Sequence, residues 1–276
     1  MEWLWGAIGS LVIAGVACWR GSLSGSGFLA AILLGTTMYA LGSTAWFGTL
    51  IAFFVSSTLL SKFKHKRKAE AESGYAKSGR RDAGQVAANG GIGLLLCICN
   101  SLWPNLAWWA IFIGVMATVN ADTWATEIGG LSKSAPRSIV SGKRVPAGTS
   151  GGVSGMGLFA SLLGGMFIGA VGWILSQMGG GEVKEAAIGM LPLLWIGALS
   201  GLAGSLIDSW LGATVQVMFH CEVCGKTVEK EFHCDTRAGQ AGGWRGMTND
   251  YVNAVSSLTG GVICLVLFIF AGISFI

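Results

Sequence analysis

Most of this chain suits no solvent but lipid. Its apolar stretches run over residues 3–19, 27–60, 86–103, 106–121, 153–177, 187–217 and 252–276. A bilayer-spanning helix needs roughly 17–25 predominantly apolar residues. The 27–60 run is long enough for two short spans, so seven or eight are expected. Charged residues make up 12% of the chain, where a soluble domain carries about 25%. More than half of the 44 glycines lie inside the apolar runs, where small residues let helices approach closely; a flexible-linker role does not fit that placement. Run 3–19 starts behind Glu2 and ends at Arg20 instead of a cleavage site, which reads as a retained span and not a secretory signal. The expected architecture is an all-α polytopic membrane protein, one integral membrane domain over 1–276 built as a Gly-rich helix bundle.

Charge gives that bundle an orientation. Segment 61–84 holds eight Lys/Arg against three acids, 129–152 holds Lys133, Arg137, Lys143 and Arg144 with no acid, and 218–250 adds four more cations. Sixteen of the 18 cations therefore fall in three segments, and positive loops stay on the cytoplasmic side. An eight-span path satisfies this with both termini outside and Lys184 the only outside cation. For 61–68 (SKFKHKRK), topology and attraction to anionic headgroups suffice as an explanation; no nucleic-acid partner is expected. The 12 tryptophans, among them Trp3, Trp5, Trp103, Trp108 and Trp109, mostly read as interface anchors.

Against this background the intramembrane acids carry the functional signal, since ionisable groups in a span are costly and mark ion or substrate sites. Three clusters stand out: NADTWATE (120–127), Asp208 within GSLIDSWLGATVQ (204–216), and TNDYVNAVSSLTGG (248–261) with Asn249, Asp250 and Asn253. At helical spacing Asp122 and Thr126 share a face, whereas Glu127 points partly away. All three clusters fall at the cytoplasmic ends of their spans and could converge. Carboxylates with side-chain amides form an oxygen-rich set suited to Mg2+.

The acids adjoin GKRVPAGTSGGVSG (142–155), which offers cations, hydroxyls and the glycines Gly148, Gly151 and Gly152. Glycines let backbone N–H groups turn toward an anion ahead of a helix N-terminus. The spacing is not that of a Walker A loop.

These blocks, with RRDAGQVAANGG (80–91), resemble the integral-membrane family that includes transmembrane protein 19 and the phytyl-phosphate kinases of chlorophyll-phytol salvage. The matching segments cover most of 80–262. The pattern of an Asp-bearing helix before a basic Gly/Ser/Thr loop is also similar, as analogy alone, to CTP-using dolichol kinases and phosphatidate cytidylyltransferases. The resemblance implies transfer of a γ-phosphate from a nucleoside triphosphate, CTP favoured, to an isoprenyl monophosphate, with Mg2+ as cofactor. Phosphoryl transfer is mostly positioning and charge neutralisation, which the residues accommodate. Asp122 and Asp208 are the first choices for Mg2+, with Glu127 and Asp250 next. Lys143 and Arg144 would neutralise phosphates cradled by Gly148, Thr149, Ser150, Gly151 and Gly152, with Lys133 and Arg137 closing the loop. Asn120, Asn249 and Asn253 would orient acids or phosphate oxygens, unless they serve interhelical hydrogen bonds. Arg81, Gln85 and Asn89 are further contributors.

The insert HCEVCGKTVEKEFHCD (220–235) presents Cys221, Cys224, His233 and Cys234 around a short hairpin with Gly225 in its turn. Two chemistries fit, a closed structural zinc site, with His220 a substitute ligand, or a disulfide, which a cytoplasmic loop disfavours. The remaining Cys18, Cys97, Cys99 and Cys264 lie in apolar runs and read as packing residues. Three other functions stay open. They are a CTP-dependent lipid nucleotidyltransferase, an ion-coupled transporter, for which polar breaks in Gly-rich helices are also suited, and a non-catalytic lipid-binding scaffold.

Overall fold

The computed structural model describes residues 1–63, 73–77, 79–178 and 187–273. Residues 64–68 of the basic run, Lys184 and the last three residues of the 252–276 stretch lie outside those described. The described chain is helical, with α1 (Glu2–Trp19), α2 (Gly25–Leu41), α3 (Thr44–Lys62), α4 (Ala83–Leu102), α5 (Leu106–Gly129), α6 (Gly155–Met178), α7 (Met190–Thr214) and α8 (Asn249–Phe270). Seven of these are long and apolar enough to cross a membrane; α2, at 17 residues, is shorter. The long 27–60 run divides at Gly42–Ser43, where the Gly42 amide closes α2 onto the Met38 carbonyl and the Ser43 hydroxyl accepts from the Ala45 amide to start α3. Run 187–217, by contrast, holds one unbroken helix, because Pro192 sits in the first turn of α7, where its missing N–H costs nothing.

Helix α5 is the axis of the bundle, with thirteen buried residues and contacts to α3, α4, α6, α7 and α8. Small residues make that packing possible. A side chain at Gly169 of α6 would strike the Leu193 carbonyl of α7 at 2.1 Å, and one at Gly114 of α5 would strike Cys264 of α8 at 2.3 Å. The end of the bundle nearest the α5 N-terminus is filled by Trp46, Trp109 and Phe112, with ring centroids 4.4–5.3 Å apart. Trp109 is therefore a core residue, 1% exposed, and not the interface anchor its sequence position suggested; Trp3, Trp5 and Trp103 are exposed. Helices α1 and α2 form a separate small cluster through Ala14, Ala17 and Leu23.

Strands occur only in the connections among the described residues. Strand β1 (Arg137–Ser138) pairs antiparallel with β2 (Gly152–Val153), folding the basic loop into a hairpin before α6. Between α7 and α8, β3 (Met218–His220) lies between β4 (Thr227–Val228) and β7 (Gly239–Gly242), and β5 (Phe232–His233) pairs with β6 (Thr236–Arg237). All three cation-rich segments contribute to one end of the bundle, where they surround a common cavity.

Candidate active site

At that end the helices splay around a cavity of about 880 Å³, toward the upper end of the roughly 300–1,000 Å³ usual for ligand sites. Helix α5 contributes Asp122 and Glu127, α7 contributes Ser205 and Asp208, α8 contributes Asn249, Asp250 and Asn253, and α4 contributes Gln85 and Asn89. Arg81, Lys133 and the 147–154 turn, with Gly148, Thr149, Ser150, Gly151 and Gly152, complete the wall. The three acidic clusters, far apart in sequence, thus face one space.

The partners of the two deepest carboxylates are neutral. Ser205 Oγ donates to Asp122 Oδ1 at 3.3 Å, and Ser256 Oγ to Asp208 Oδ2 at 2.7 Å. Among the described residues neither carboxylate has an ion-pair partner. Both line the same cavity, from α5 and α7. Two uncompensated carboxylates in spanning helices are expensive, and a divalent cation between them would offset that cost. The Asn253 Oδ1 atom, on the same wall, is buried with no hydrogen-bond partner. An oxygen set of this kind fits Mg2+. The four acids are nevertheless spread around the cavity. The one group of three or more ligand-type side chains with atoms mutually within 4.8 Å, among the described residues, is the Cys/His cluster.

Glu127 and Asp250 are already engaged. Glu127 accepts from the Ser61 hydroxyl. Asp250 Oδ2 lies 2.5 Å from Lys77 Nζ, which also reaches Asp82 at 3.0 Å. Burial opposes the charge on Lys77, but the bonds and charges of Asp250 and Asp82 prevail and raise its pKa. Asp82 is depressed although burial works against it, because the Gln85 amide and Lys77 favour its anion. Asp82 and Gln85 also form a reciprocal capping box that starts α4, and this fixes the segment carrying Lys77 and Arg81.

Arg81 is held at three sides. Its amide donates to the Ser22 carbonyl and its carbonyl accepts from the Ser24 amide. Its guanidinium donates to Thr58 Oγ1 at 3.0 Å and Ser57 Oγ at 3.1 Å. Burial lowers its pKa, with the Glu127 charge working the other way.

The glycine turn has the shape an anion cradle needs. Gly148 and Gly151 have φ of +83° and +76°, which side chains disfavour, and a Cβ on Gly151 would meet Ala213 of α7 at 2.4 Å. The amides of Gly148, Ser150 and Gly151 make no hydrogen bond within the described residues, leaving donors beside Asp208.

Several expected contributors are placed elsewhere. Asn120 is fully buried and bonds Gly164 of α6 through Nδ2 at 2.8 Å and Ser56 of α3 through Oδ1 at 2.9 Å, so it ties three helices and does not face the cavity. Lys143, Arg144 and Arg137 are exposed on the hairpin outside the cavity wall; Arg137 Nη1 donates to the Gly142 carbonyl. The wall cations are instead Lys62, Lys77, Arg81 and Lys133. Lys62, Lys77 and Glu229 join the wall without any sequence pattern that marks them as site residues. Lys77 was hidden in a loop whose charge topology already explained. Glu229 sits beside the Cys/His ligands, and burial raises its pKa against the bond from the Ala76 amide.

In the insert, Cys221, Cys224, His233 and Cys234 bring their ligand atoms within 4.8 Å of one another. Two tight turns present them, one through Gly225 at φ +69° and one through Cys234 and Asp235 at +50° and +58°. The thiol of Cys221 is pulled down to about 6 by the Cys224 amide and the His233 ring, and burial with neighbouring sulfurs pushes Cys234 up to about 11. Three sulfurs and one imidazole match a closed tetrahedral zinc site; His220 lies outside the cluster. The insert reaches back to the cavity, since Glu229 donates its amide to the Gly74 carbonyl and accepts from the Ala76 amide.

The chain is 34% identical to Protein PGR of Arabidopsis thaliana over 76% of its length and 78% of that protein's. It is 28% identical to the uncharacterized membrane protein MJ0933 of Methanocaldococcus jannaschii, covering 79% and 74% of the two chains. Similarity to Protein VTE6, chloroplastic, of A. thaliana is 27%, over 89% of this chain and 65% of that one. No solved structure matches. Residues 8–261 match the family described as Integral membrane protein DUF92, so the chain belongs to that family of bilayer proteins, the one its sequence blocks resemble.

Proposed function

We propose that this protein is a Mg2+-dependent membrane phosphotransferase that converts an isoprenyl monophosphate, such as phytyl or geranylgeranyl phosphate, to its diphosphate using a nucleoside triphosphate, with CTP favoured, at a cavity facing the cytoplasm. The observation that carries it is the pair Asp122–Asp208, two acids in spanning helices with only serine partners, opening on a wall of cations and free amides. Mg2+ held there would neutralise phosphate oxygens and polarise the transferred group.

The chain's own residues account for the rest. Asp122 and Asp208 would hold the cation, and the Asn253 oxygen adds a neutral ligand. The amides of Gly148, Ser150 and Gly151 would bind the nucleotide phosphates, with Lys133 balancing their charge. Arg81 would orient the acceptor phosphate. An oxygen of that acceptor attacks the γ-phosphorus and the bond to the β-phosphate oxygen breaks, leaving a nucleoside diphosphate. The acceptor is already largely anionic near neutral pH, so no general base is required. A zinc ion in the Cys/His cluster would play a structural part, holding the insert that delivers Glu229.

The test uses detergent-purified protein with α- and γ-labelled nucleotides and either monophosphate. γ-Label in a prenyl diphosphate supports the kinase. Pyrophosphate release with α-label in the lipid would establish a nucleotidyltransferase instead, and inactivity of folded protein toward every nucleotide would favour transport.

A further inference from the structure

A narrow apolar slot of about 70 Å³ lies among α1, α2, α3 and α4, walled by Ala14, Ala31, Leu34, Phe47, Phe54 and Val86. Its position is more informative than its size. Arg81, Gln85 and Asn89 line both the slot and the large polar cavity, so the two spaces meet at one constriction. Gln85 and Asn89, four residues apart, share one face of the first turns of α4, and Arg81 lies just ahead of that helix, bridged to Leu23. Beyond them the only polar side chain on the slot wall among the described residues is Ser10, whose hydroxyl has no partner among them.

Arg81 makes this junction chemically asymmetric. Its guanidinium lies 5.6 Å from the centroid of the Phe54 ring, on the apolar side. Its hydrogen-bond partners, Ser57 and Thr58, are neutral hydroxyls, and they use two of the five N–H donors a guanidinium offers. No other partner among the described residues takes the remaining donors, and Arg81 lines the polar cavity. The backbone cannot relax away from this position, because Arg81 is bonded on both sides to the α1–α2 turn. A Cβ on Gly27 would meet the Arg81 carbonyl at 2.1 Å, so the approach is close by design of the sequence.

The slot also follows a seam in the packing. Ala14, Ala17 and Leu23 form their own cluster, apart from the core built around α5. Helix α1 packs mainly on α2. Between such units a hydrocarbon can be admitted with less repacking than inside one close-packed core.

We infer that this slot is the seat of the acceptor's hydrocarbon chain, with the phosphate-proximal isoprenoid carbons between α1–α2 and α3–α4 and the phosphate on Arg81 at the mouth. This rests on the reading that the acceptor is an isoprenyl phosphate. It seats the lipid beside α3 and α4 and the nucleotide at the glycine turn packed on α7, so that acceptor and nucleotide approach Asp122 and Asp208 from different walls.

A geranylgeranyl monophosphate carrying a diazirine on its proximal chain, irradiated with the full-length protein in detergent, tests the placement without requiring turnover. Label should fall on peptides of α2 and α3 containing Ala31, Leu34 or Phe54, and excess unlabelled geranylgeranyl monophosphate should remove it. Label confined to other helices, or no competable label in α1–α4, overturns the inference. Ala31→Phe, which fills the slot, should raise KM for the prenyl phosphate about tenfold and leave the nucleotide KM unchanged; an unchanged prenyl-phosphate KM would also overturn it. Turnover with label elsewhere would sink only this inference. Slot labelling without phosphoryl transfer would sink the kinase reading and leave the lipid site standing.

Discussion

Lys77 Nζ lies 2.5 Å from Asp250 Oδ2, joining the segment ahead of α4 to the first turn of α8 across the cavity wall. The bridge separates the four acids by role. Asp250 is already neutralised by a cation of the chain, whereas Asp122 and Asp208 are not. Lys77→Met should therefore cost little stability, on the order of 0.2–1 kcal/mol for a pair this open to solvent. Its effect on activity should exceed that and should be largely shared with Asp250→Asn. A double-mutant cycle on kcat/KM reads the coupling, and strictly additive losses would count against a functional bridge.

Unpaired acids imply a conflict between stability and function. Asp208→Asn and Asp122→Asn should each abolish transfer and yet leave the Mg2+-free protein as stable as the parent or more so, since an intramembrane carboxylate without a cationic partner is removed. Adding Mg2+ should raise the parent's Tm and leave the variants unmoved. Thermal unfolding in detergent with and without Mg2+ provides the comparison. An equal Mg2+ shift in all three proteins would place the cation elsewhere.

The Cys/His cluster predicts one zinc per chain by elemental analysis, lost on Cys224→Ser. Because the Cys221 thiol is depressed from 9.0 to about 6, its thiolate contribution is full above the ordinary thiol range. It declines as pH falls and is gone below about 6. Protons compete with the metal for these ligands, so zinc occupancy should fall on acidification, and occupancy unchanged by Cys224→Ser would contradict this ligand set.

Gly151 sits at φ +76° with Ala213 beneath it. Gly151→Ala combines a strained backbone with a clash against α7, so the turn must lift from Asp208. A rise in nucleotide KM of tenfold or more, with the prenyl-phosphate KM little changed, is expected from initial-rate kinetics.

Much of this arrangement was legible in the residues. Apolar run lengths specified the helices, and intramembrane acids at helix ends pointed to Asp122, Asp208 and Asp250. What sequence could not resolve was direction. Asn120 lies two residues from Asp122 yet is turned by helical rotation toward Gly164 and Ser56. Lys143 and Arg144 neighbour the glycine turn in sequence, but the β1–β2 hairpin projects them outward. Lys77 enters the cavity only because the capping box of α4 and the Glu229 contacts with Gly74 and Ala76 fix its segment. Those contacts join residues some 150 positions apart, a separation no local pattern encodes. Trp109 was misplaced for a similar reason, since an apolar run does not say which of its ends meets another aromatic.

On the proposed reading, Asp122 and Asp208 would hold the cation that neutralises the phosphates during transfer to a membrane lipid. The most direct measurement is the Mg2+ dependence of γ-label transfer from CTP to geranylgeranyl monophosphate by the parent protein beside folded Asp122→Asn and Asp208→Asn. The parent should form the labelled diphosphate in a saturable, Mg2+-dependent way, and either variant should lose at least a hundredfold of that activity. Transfer that survives in both variants, or that needs no divalent cation, would contradict it.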